Sequence, residues 1–186
     1  MDHPLEIQTG PIAGPIKLRP RQFGDDRGHF SETWRSAHFE AAIGGPVTFV
    51  QDNESVSGAG VLRGLHFQVP DRAQGKLVRV VRGAALDVAV DLRKGSPTYG
   101  QHQTVELSGE NRWQFWVPPG FAHGFLTLEP DTIFCYKCTE VYSPEHERAL
   151  RWDDPDLAID WGTSSPLLSP KDENAGAFAS FETPFS

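Results

Sequence analysis

An arginine and a histidine stand three residues apart in the otherwise apolar segment VLRGLHFQ, residues 61–68. A guanidinium binds anionic oxygens and an imidazole exchanges protons near neutral pH, so Arg63 and His66 could together hold an anionic substrate and move a proton on it. In a regular strand the two side chains would point to opposite faces. A shared pocket therefore requires a bulge, which Gly64 would permit; the alternative is a packed histidine beside a surface arginine.

Four further side chains could join this chemistry, and each also has a purely structural explanation. Lys76 opens an apolar strand, where a lysine is usually solvated, but its ammonium could also stabilise an oxyanion. His123 lies between aromatic residues, where a buried structural histidine and a site residue are equally consistent with the sequence. Tyr136 lies mid-strand beside Phe134 and Cys138, where its residues alone favour ordinary core packing. Asp172 fits a capping box that starts at Ser169. These residues by themselves indicate a pocket and no specific reaction.

Two cysteines, Cys135 and Cys138, have the spacing of a redox or zinc pair. The segment around them, TIFCYKCT, is rich in β-branched and aromatic residues and is typical of a strand. Residues three apart on a strand face opposite sides, so neither a disulfide nor a shared metal is expected. We predict two buried free thiols.

The elements that must position these residues are short apolar or alternating runs separated by turn signals such as KGSP and PPG. This pattern is typical of an antiparallel sandwich or barrel and disfavours a βαβ fold, so the fold class is all-β. Strands are predicted over residues 48–51, 61–68, 76–81, 84–92, 101–107, 114–117, 121–128 and 132–141.

Helical signals lie outside the strand-rich region. Ser36 can cap a short helix that ends at Gly44, and Ser169 can cap a second one with a proline in its first turn. The tail beyond the second helix carries Phe178, Phe181 and Phe185 among small residues. We expect it to dock on the body of the protein or on a partner chain.

Length and charge exclude several classes of protein. The chain has 186 residues, which suits one domain, and no apolar run reaches the roughly 18 residues that a membrane span needs. A net charge of -8 argues against a nucleic-acid surface, because such surfaces are basic. The start of the chain has neither a basic segment nor an apolar run, which favours the cytoplasm.

Seven short segments are spread along the chain: FGDDRG (23–28), FVQDN (49–53), LRGLHFQ (62–68), QGKLV (74–78), PGFAHGF (119–125), YK (136–137) and LSPKD (168–172). They are similar to those of the dTDP-4-dehydrorhamnose 3,5-epimerases, a family that inverts sugar carbons beside a 4-keto group. The similarity is collinear from about Phe23 to Asp172. Each segment is weak alone, whereas all of them in the same order make an accidental match improbable.

The resemblance implies a cupin-like double-stranded β-helix, a jelly-roll barrel, as a single domain over residues 1–186 with a C-terminal tail from about residue 163. It also implies a homodimer with exchanged N-terminal strands, a site inside the barrel mouth, and neither a metal nor another cofactor. The sequence agrees with a metal-free site, because the segment Leu65-His66-Phe67 holds one histidine where metal-binding cupins have a His-x-His pair.

The resemblance further implies a role for each candidate residue toward a dTDP-sugar substrate. His66 would be the general base, Asp172 the carboxylate that orients it, and Tyr136 the general acid on the other face of the sugar. Lys76 would hold the enolate oxygen. The substrate-binding positions would be Arg27, Glu32, Gln51, Asn53, Arg63, Lys76, His123, Glu147 and Lys171, of which Arg27 and Glu32 would serve the pocket of the other subunit.

The sequence leaves several alternatives open. Many family members carry two adjacent tyrosines where this chain has Val141-Tyr142, which affects contacts with the sugar or the base rather than the proton chemistry. A single-site 3- or 5-epimerase of another deoxysugar pathway would share the same residues. A non-catalytic cupin that binds a nucleotide sugar would not require His66, Lys76, Tyr136 and Asp172 together. A sugar ketoisomerase would not explain all the matching segments.

Overall fold

A computed structural model describes residues 5–186 and contains thirteen strands in that part of the chain, all paired antiparallel. Its helices are α1 (Ser36–Ile43), α2 (Pro170–Glu173) and one 3-10 turn (Phe178–Ser180). The strands are β1 (Leu5–Thr9), β2 (Ile16–Pro20), β3 (Phe23–Asp25), β4 (Gly28–Phe30), β5 (Gln51–Ser57), β6 (Leu62–Gln68), β7 (Lys76–Arg82), β8 (Ala84–Asp91), β9 (His102–Ser108), β10 (Gln114–Val117), β11 (Phe121–Thr127), β12 (Thr132–Cys138) and β13 (Glu147–Ala149).

Most strands form two sheets that face each other. One sheet has the order β1-β2-β10-β7-β12-β5 and the other has the order β13-β6-β11-β8-β9, while β3 and β4 form a separate hairpin. The core between the sheets is aromatic: Phe125 of β11 stacks on Phe134 of β12 with ring centroids 3.8 Å apart. Burying a side chain of this size contributes about 1.5–3 kcal/mol, so these contacts hold the sheets together. The all-β prediction is confirmed.

The structure differs from the sequence predictions mainly before residue 62. The strand predicted over residues 48–51 in fact begins at Gln51 and continues to Ser57. Its inward positions are polar, so the apolar pattern that marks a strand is weak there. No strand was predicted over β1 to β4. The side chains of β1, β3 and β4 are largely exposed, whereas the short β2 buries only Leu18 and Pro20.

Both predicted helices are present, with one difference in capping. Gly44 ends α1 in a left-handed conformation with φ of 79°, as predicted. Arg35, and not Ser36, is the N-cap residue, because the Ser36 hydroxyl lies inside the first turn and donates to the Glu40 side chain. No helix in the described residues is long and apolar enough to cross a membrane.

The C-terminal tail packs against the five-stranded sheet of its own chain. Phe181 meets Phe67 edge-on with ring centroids 5.0 Å apart, and Phe185 is buried in the same apolar cluster. Phe178 also packs on this cluster. The predicted docking of the tail on the body is therefore confirmed. The docked tail places Ser169 and Asp172, at the start of α2, beside the cavity between the sheets.

The predicted pair of buried thiols is half right. Cys135 and Cys138 are free and face opposite sides of β12, as a strand requires. Cys138 is fully buried, whereas Cys135 is only half-buried on the outer face, where its thiol points toward Glu54. The prediction of burial was wrong for Cys135 because β12 lines the core with one face only.

Candidate active site

A cavity of about 450 Å³ lies between the two sheets. A smaller cavity of about 280 Å³ adjoins it, and His66, Lys76 and Tyr136 line both. The larger cavity is otherwise lined by Ser55, Val61, Leu62, Arg63, His123, Phe125, Leu167, Leu168, Ser169 and Asp172. The smaller one is otherwise lined by Gln51, Asn53, Phe67, Gln68, Gln74, Tyr142 and Glu147.

A bulge brings Arg63 and His66 to the same cavity. The pairing of β6 with β11 shifts register between His66 and Arg63, so the two side chains escape strict alternation. Gly64, with φ of 134°, makes this bulge, and a Cβ atom there would lie 2.5 Å from the Cα atom of Gly124. Only glycine fits this close approach of two strands.

His66 forms a short contact with a carboxylate from the tail. Its Nε2 lies 2.5 Å from Oδ1 of Asp172, which is 3% exposed. Burial works to raise the pKa of Asp172, but the hydrogen bonds from His66 and Ser169 outweigh it and hold this pKa below its usual value. An ionised carboxylate accepts from Nε2–H, which leaves Nδ1 of His66 as the nitrogen that can take a proton.

The predicted capping box at α2 is only partly correct. Ser169 is the N-cap residue, and its hydroxyl accepts from the backbone N–H of Asp172 at 3.2 Å. The Asp172 carboxylate, however, accepts from the Ser169 hydroxyl at 2.8 Å and from His66. It does not close the box on the Ser169 backbone because both of its oxygens are already engaged.

Lys76 and Tyr136 face His66 from the opposite sheet. They lie on the neighbouring strands β7 and β12, while His66 lies on β6. Burial is the largest influence on each: it lowers the pKa of the Lys76 ammonium, which the Cys138 thiol and the Glu147 carboxylate partly counteract, and it raises the pKa of the Tyr136 phenol. The phenol therefore stays protonated at neutral pH and can donate.

His123 has a carboxylate partner that the sequence did not reveal. Its Nε2 lies 3.0 Å from both carboxylate oxygens of Asp87, which is completely buried. The two residues sit diagonally on the paired strands β11 and β8. A carboxylate at a core position of the apolar run AALDVAVD was the available signal, because such a group needs a buried partner.

The smaller cavity is lined by three more of the residues that the resemblance implied, Gln51, Asn53 and Glu147. Glu147 accepts from Lys171 at 2.5 Å and from the Tyr142 hydroxyl at 2.7 Å. Burial works to raise the pKa of Glu147, but these two bonds bring it below its usual value. On strand β5 of the other sheet, the side-chain amide of Gln51 donates to the side-chain oxygen of Asn53 at 3.0 Å.

Three predicted binding residues do not line either cavity of this chain. Lys171 adjoins the smaller cavity through its contact with Glu147, whereas Arg27 and Glu32 lie elsewhere. Arg27 sits in the β3–β4 turn, where its side chain is 90% exposed and pairs with Asp25. Glu32 pairs with Arg35 and lies 3.5 Å from His38. Both therefore lie away from the cavities described here.

The arrangement suits proton transfer on a bound anion. A carboxylate-paired imidazole stands on one sheet, a protonated phenol and an ammonium stand on the other, and Arg63 provides a fixed positive charge. Facing sheets lie about 10 Å apart, which leaves room for a flat ring between the imidazole and the phenol. Among residues 5–186 no group of three or more His, Cys, Asp or Glu side chains is placed to hold a metal ion.

Known proteins are similar to this chain in both sequence and structure. The family model for dTDP-4-dehydrorhamnose 3,5-epimerase matches residues 9–180. A dTDP-4-dehydrorhamnose 3,5-epimerase from Pseudomonas aeruginosa is 56% identical over 169 residues, which cover 90% of this chain and 93% of that protein. A dTDP-4-dehydrorhamnose 3-epimerase from Streptomyces niveus is 42% identical over 164 residues, covering 88% and 79% respectively.

Solved structures of this family have the same fold as this chain. The crystal structure of a dTDP-6-deoxy-D-glucose-3,5-epimerase from Legionella pneumophila, in complex with dTDP-4-keto-L-rhamnose, superposes with a TM-score of 0.92 at 47% identity and covers 96% of this chain and 95% of that chain. The prediction of a cupin-like all-β barrel is thereby confirmed. The chain belongs to the dTDP-4-dehydrorhamnose 3,5-epimerase family.

Proposed function

We propose that the chain catalyses epimerisation at C3 and C5 of dTDP-4-dehydro-6-deoxy-D-glucose and yields dTDP-4-dehydro-L-rhamnose. The observation that carries the proposal is the placement of the His66–Asp172 pair and Tyr136 on opposite walls of one cavity, with Lys76 beside the phenol. Inverting a carbon requires that a proton leave from one side and return from the other, and this cavity offers a base and an acid on two sides.

The first step is proton removal from a carbon next to the 4-keto group. His66 accepts this proton at Nδ1, because Nε2 donates to Asp172. The negative charge of Asp172 stabilises the imidazolium that forms, as its lowered pKa indicates. A positioned base of this kind accelerates such a step by about 10²–10⁴.

The electrons left on the carbon move to the 4-keto oxygen. Lys76 supplies the positive charge that stabilises this enolate, and its half-buried position makes that charge effective. Tyr136 then delivers a proton to the opposite side of the carbon. Its raised pKa keeps the donor protonated until the enolate takes the proton.

The nucleoside diphosphate part of the substrate is proposed to bind along the same cavity walls. Arg63 suits a phosphate, because its planar guanidinium matches two oxygens at once. His123, Gln51, Asn53, Glu147 and Lys171 line or adjoin the cavities and are proposed to hold the rest of the nucleotide sugar.

A homodimer with exchanged N-terminal strands is part of the proposal. Arg27 and Glu32 lie away from the cavity of their own chain, and Phe23 and Phe30 on the β3–β4 hairpin are 54% and 69% exposed. Exposed aromatic residues on a projecting hairpin favour a protein contact. The test is the mass of the protein in solution. The wild type should have the mass of a dimer, and Phe30→Ser should have the mass of a monomer.

The test of the reaction is incubation with dTDP-4-dehydro-6-deoxy-D-glucose in D2O, with the sugar carbons followed by NMR. Deuterium at both C3 and C5 supports the double epimerisation. Deuterium at one carbon alone would favour the single-site alternative. A 3-epimerase is 42% identical to this chain, so that alternative is a specific one. Substrate that binds without any exchange would indicate a nucleotide-sugar-binding protein instead.

Replacing Tyr136 by Phe separates the two halves of the reaction. Proton removal needs only His66 and Lys76, so deuterium exchange should remain measurable in Tyr136→Phe. Inversion should fall much further, because the far face has lost its donor. An equal loss of exchange and inversion would mean that the phenol acts during proton removal, and its assignment as the far-face acid would be abandoned.

A further inference from the structure

Asp172 sits on a helix that is too short to hold its own position. Helix α2 has four residues, and a single helical turn is marginal without tertiary contacts. Its carboxylate nevertheless lies 2.5 Å from Nε2 of His66, which belongs to a strand of the barrel. The contacts that fix the chain on either side of α2 therefore decide where this carboxylate lies.

The chain before α2 is bonded directly to the strand that carries His66. The backbone N–H of Leu62, at the start of β6, donates to the Leu167 carbonyl at 3.0 Å. Within α2, the Lys171 ammonium lies 2.5 Å from the Glu147 carboxylate on β13. The upstream end of α2 is thereby fixed relative to the base.

The chain after α2 reaches the same strand through one intermediate segment. The backbones of Leu65 and Leu150 bond to each other in both directions, at 3.1 and 3.0 Å. The next N–H, that of Arg151, donates to the Gly176 carbonyl at 2.9 Å. The segment at residues 149–151 thus links β6 to the tail just after α2.

Asp154 adds a side-chain contact to this downstream connection. The residue is 2% exposed, and its two carboxylate oxygens accept from two segments of the chain. One oxygen accepts from the Asp156 N–H at 2.9 Å, and the other accepts from the Phe178 N–H in the tail at 2.8 Å. The nearby Arg151 guanidinium bonds to the exposed Asp153 instead. Two backbone N–H groups therefore converge on one buried carboxylate.

This double contact requires a carboxylate. An asparagine of the same shape has one acceptor oxygen and one donor nitrogen, so it can satisfy one N–H group and directs its own N–H at the other. A buried N–H group that lacks an acceptor is unfavourable. Asp154 is therefore suited to tie the turn at residues 154–156 to the tail, in a way that its amide counterpart is not.

We infer that Asp154 is a positioning residue of the active site: it fixes the tail after α2 and thereby holds the Asp172 carboxylate on His66. The inference rests on the proposed function, in which the His66–Asp172 pair removes the proton. Asp154 itself lines neither cavity. Its effect on the reaction therefore passes through Asp172.

The kinetic test compares Asp154→Asn in the wild type and in the Asp172→Asn background. Misplacing a catalytic group by about 1 Å can cost up to about 10²-fold in rate, so kcat for the dTDP-sugar should fall about threefold to tenfold in Asp154→Asn. KM should change less than kcat, because the groups proposed to bind the nucleotide are unchanged. In the Asp172→Asn background the further loss of kcat should be less than about twofold, because the carboxylate that Asp154 positions is already gone.

A second measurement does not depend on catalysis. In the protein without substrate, the Nε2–H proton of His66 bonds to Asp172, and NMR can follow its exchange with solvent once its resonance is assigned by its loss in His66→Ala. This exchange should be about tenfold faster in Asp154→Asn, because the bond opens more often. Asp153→Asn is the matched control: its carboxylate pairs with Arg151 at the surface, so kcat and exchange should match the wild type.

A further pair of variants removes the donor instead of the acceptor. Phe178→Pro and Phe178→Ala both lose the aromatic ring, but the proline also loses the N–H. Ala177 before it is extended, with φ of -74° and ψ of 146°, and Phe178 begins a 3-10 turn, so a proline fits there. Relative to Phe178→Ala, Phe178→Pro should show the lower kcat and the faster exchange, which keeps the test available if Asp154→Asn does not fold.

Two results would overturn the inference. An equal loss of kcat with and without Asp172→Asn would mean that Asp154 affects the rate independently of Asp172. A lower melting temperature with unchanged kcat and unchanged exchange would make Asp154 a contact of the fold alone. If the wild-type protein had no epimerase activity, the proposed function would fail, whereas the exchange measurement would still decide whether Asp154 holds Asp172 on His66.

Discussion

Two histidine–aspartate pairs face the same cavity, yet they are built in different ways. His123 and Asp87 lie on adjacent strands of one sheet, and both are almost completely buried. His66 lies on the same sheet, but its partner Asp172 comes from α2 in the tail, 106 residues later. The His66 side chain is 26% exposed, compared with 7% for His123.

Only one of the two pairs is placed to exchange a proton with a substrate. Both oxygens of Asp87 contact Nε2 of His123, and the surrounding sheet fixes this geometry, which suits a rigid binding group. Asp172 uses one oxygen for His66 and the other for Ser169, and the imidazole remains open to the cavity. We therefore assign proton transfer to His66 and anchoring to His123.

The largest expected effect is the loss of the base. His66→Ala should lower the rate of epimerisation by about 10²–10⁴, because the group that accepts the proton is gone. Affinity for dTDP should remain close to that of the wild type, since Arg63 and His123 are untouched. Rates from NMR and dTDP titration on the same preparation provide the measurement. A variant that keeps more than a small fraction of the rate would move the base to another residue.

Asp172→Asn should have the second-largest effect. The amide can still accept from His66, but it carries no charge to stabilise the imidazolium, so the rate should fall roughly tenfold to a hundredfold. Ser169→Ala is the matched control: it removes the helix cap and should cost about 1 kcal/mol in the free energy of unfolding, with a smaller loss of rate. If Asp172→Asn lost stability alone, the carboxylate would be structural.

Asp87→Asn tests the second pair. It removes the charge from a fully buried acceptor, so the free energy of unfolding should fall by about 1–3 kcal/mol while the rate falls less than tenfold. Asp87 also favours the cationic form of Lys76. The alkaline limb of the pH–rate profile should therefore move to lower pH. Loss of activity as complete as that of His66→Ala would contradict the division between the two pairs.

The two pairs also differ in how far the sequence could predict them. Local patterns predicted most strands from β6 to β12, because their apolar side chains alternate or run together. They did not predict that Asp172 meets His66, since that contact depends on the docking of the tail, and only the family resemblance implied it. The bulge at Gly64 was stated as a requirement for a shared pocket, and the structure contains it.

Other features could not be predicted from local sequence. Asp87 stood out as a carboxylate in an apolar strand, but its partner His123 lies 36 residues away and is set by the β8–β11 pairing. Strands β1, β3 and β4 carry mostly exposed side chains, so no buried face produces a pattern, and the short β2 buries only Leu18 and Pro20.

The smallest expected effect concerns what the Asp172 carboxylate contributes to folding as the pH changes. Its pKa in the folded protein lies below the reference value of 3.8, because the bonds from His66 and Ser169 outweigh the effect of burial. The folded state therefore favours the ionised form, and the resulting stabilisation is present above the unfolded pKa and is lost as the pH falls through the folded pKa. Asn at this position does not titrate. The difference in unfolding free energy between the wild type and Asp172→Asn should therefore be larger near about pH 5 than near about pH 3, measured by urea denaturation. A difference that stayed constant or grew toward acid would mean that the charge of Asp172 is not stabilised in the folded protein, and the tail-borne pair would then resemble a fixed structural contact rather than an activated base.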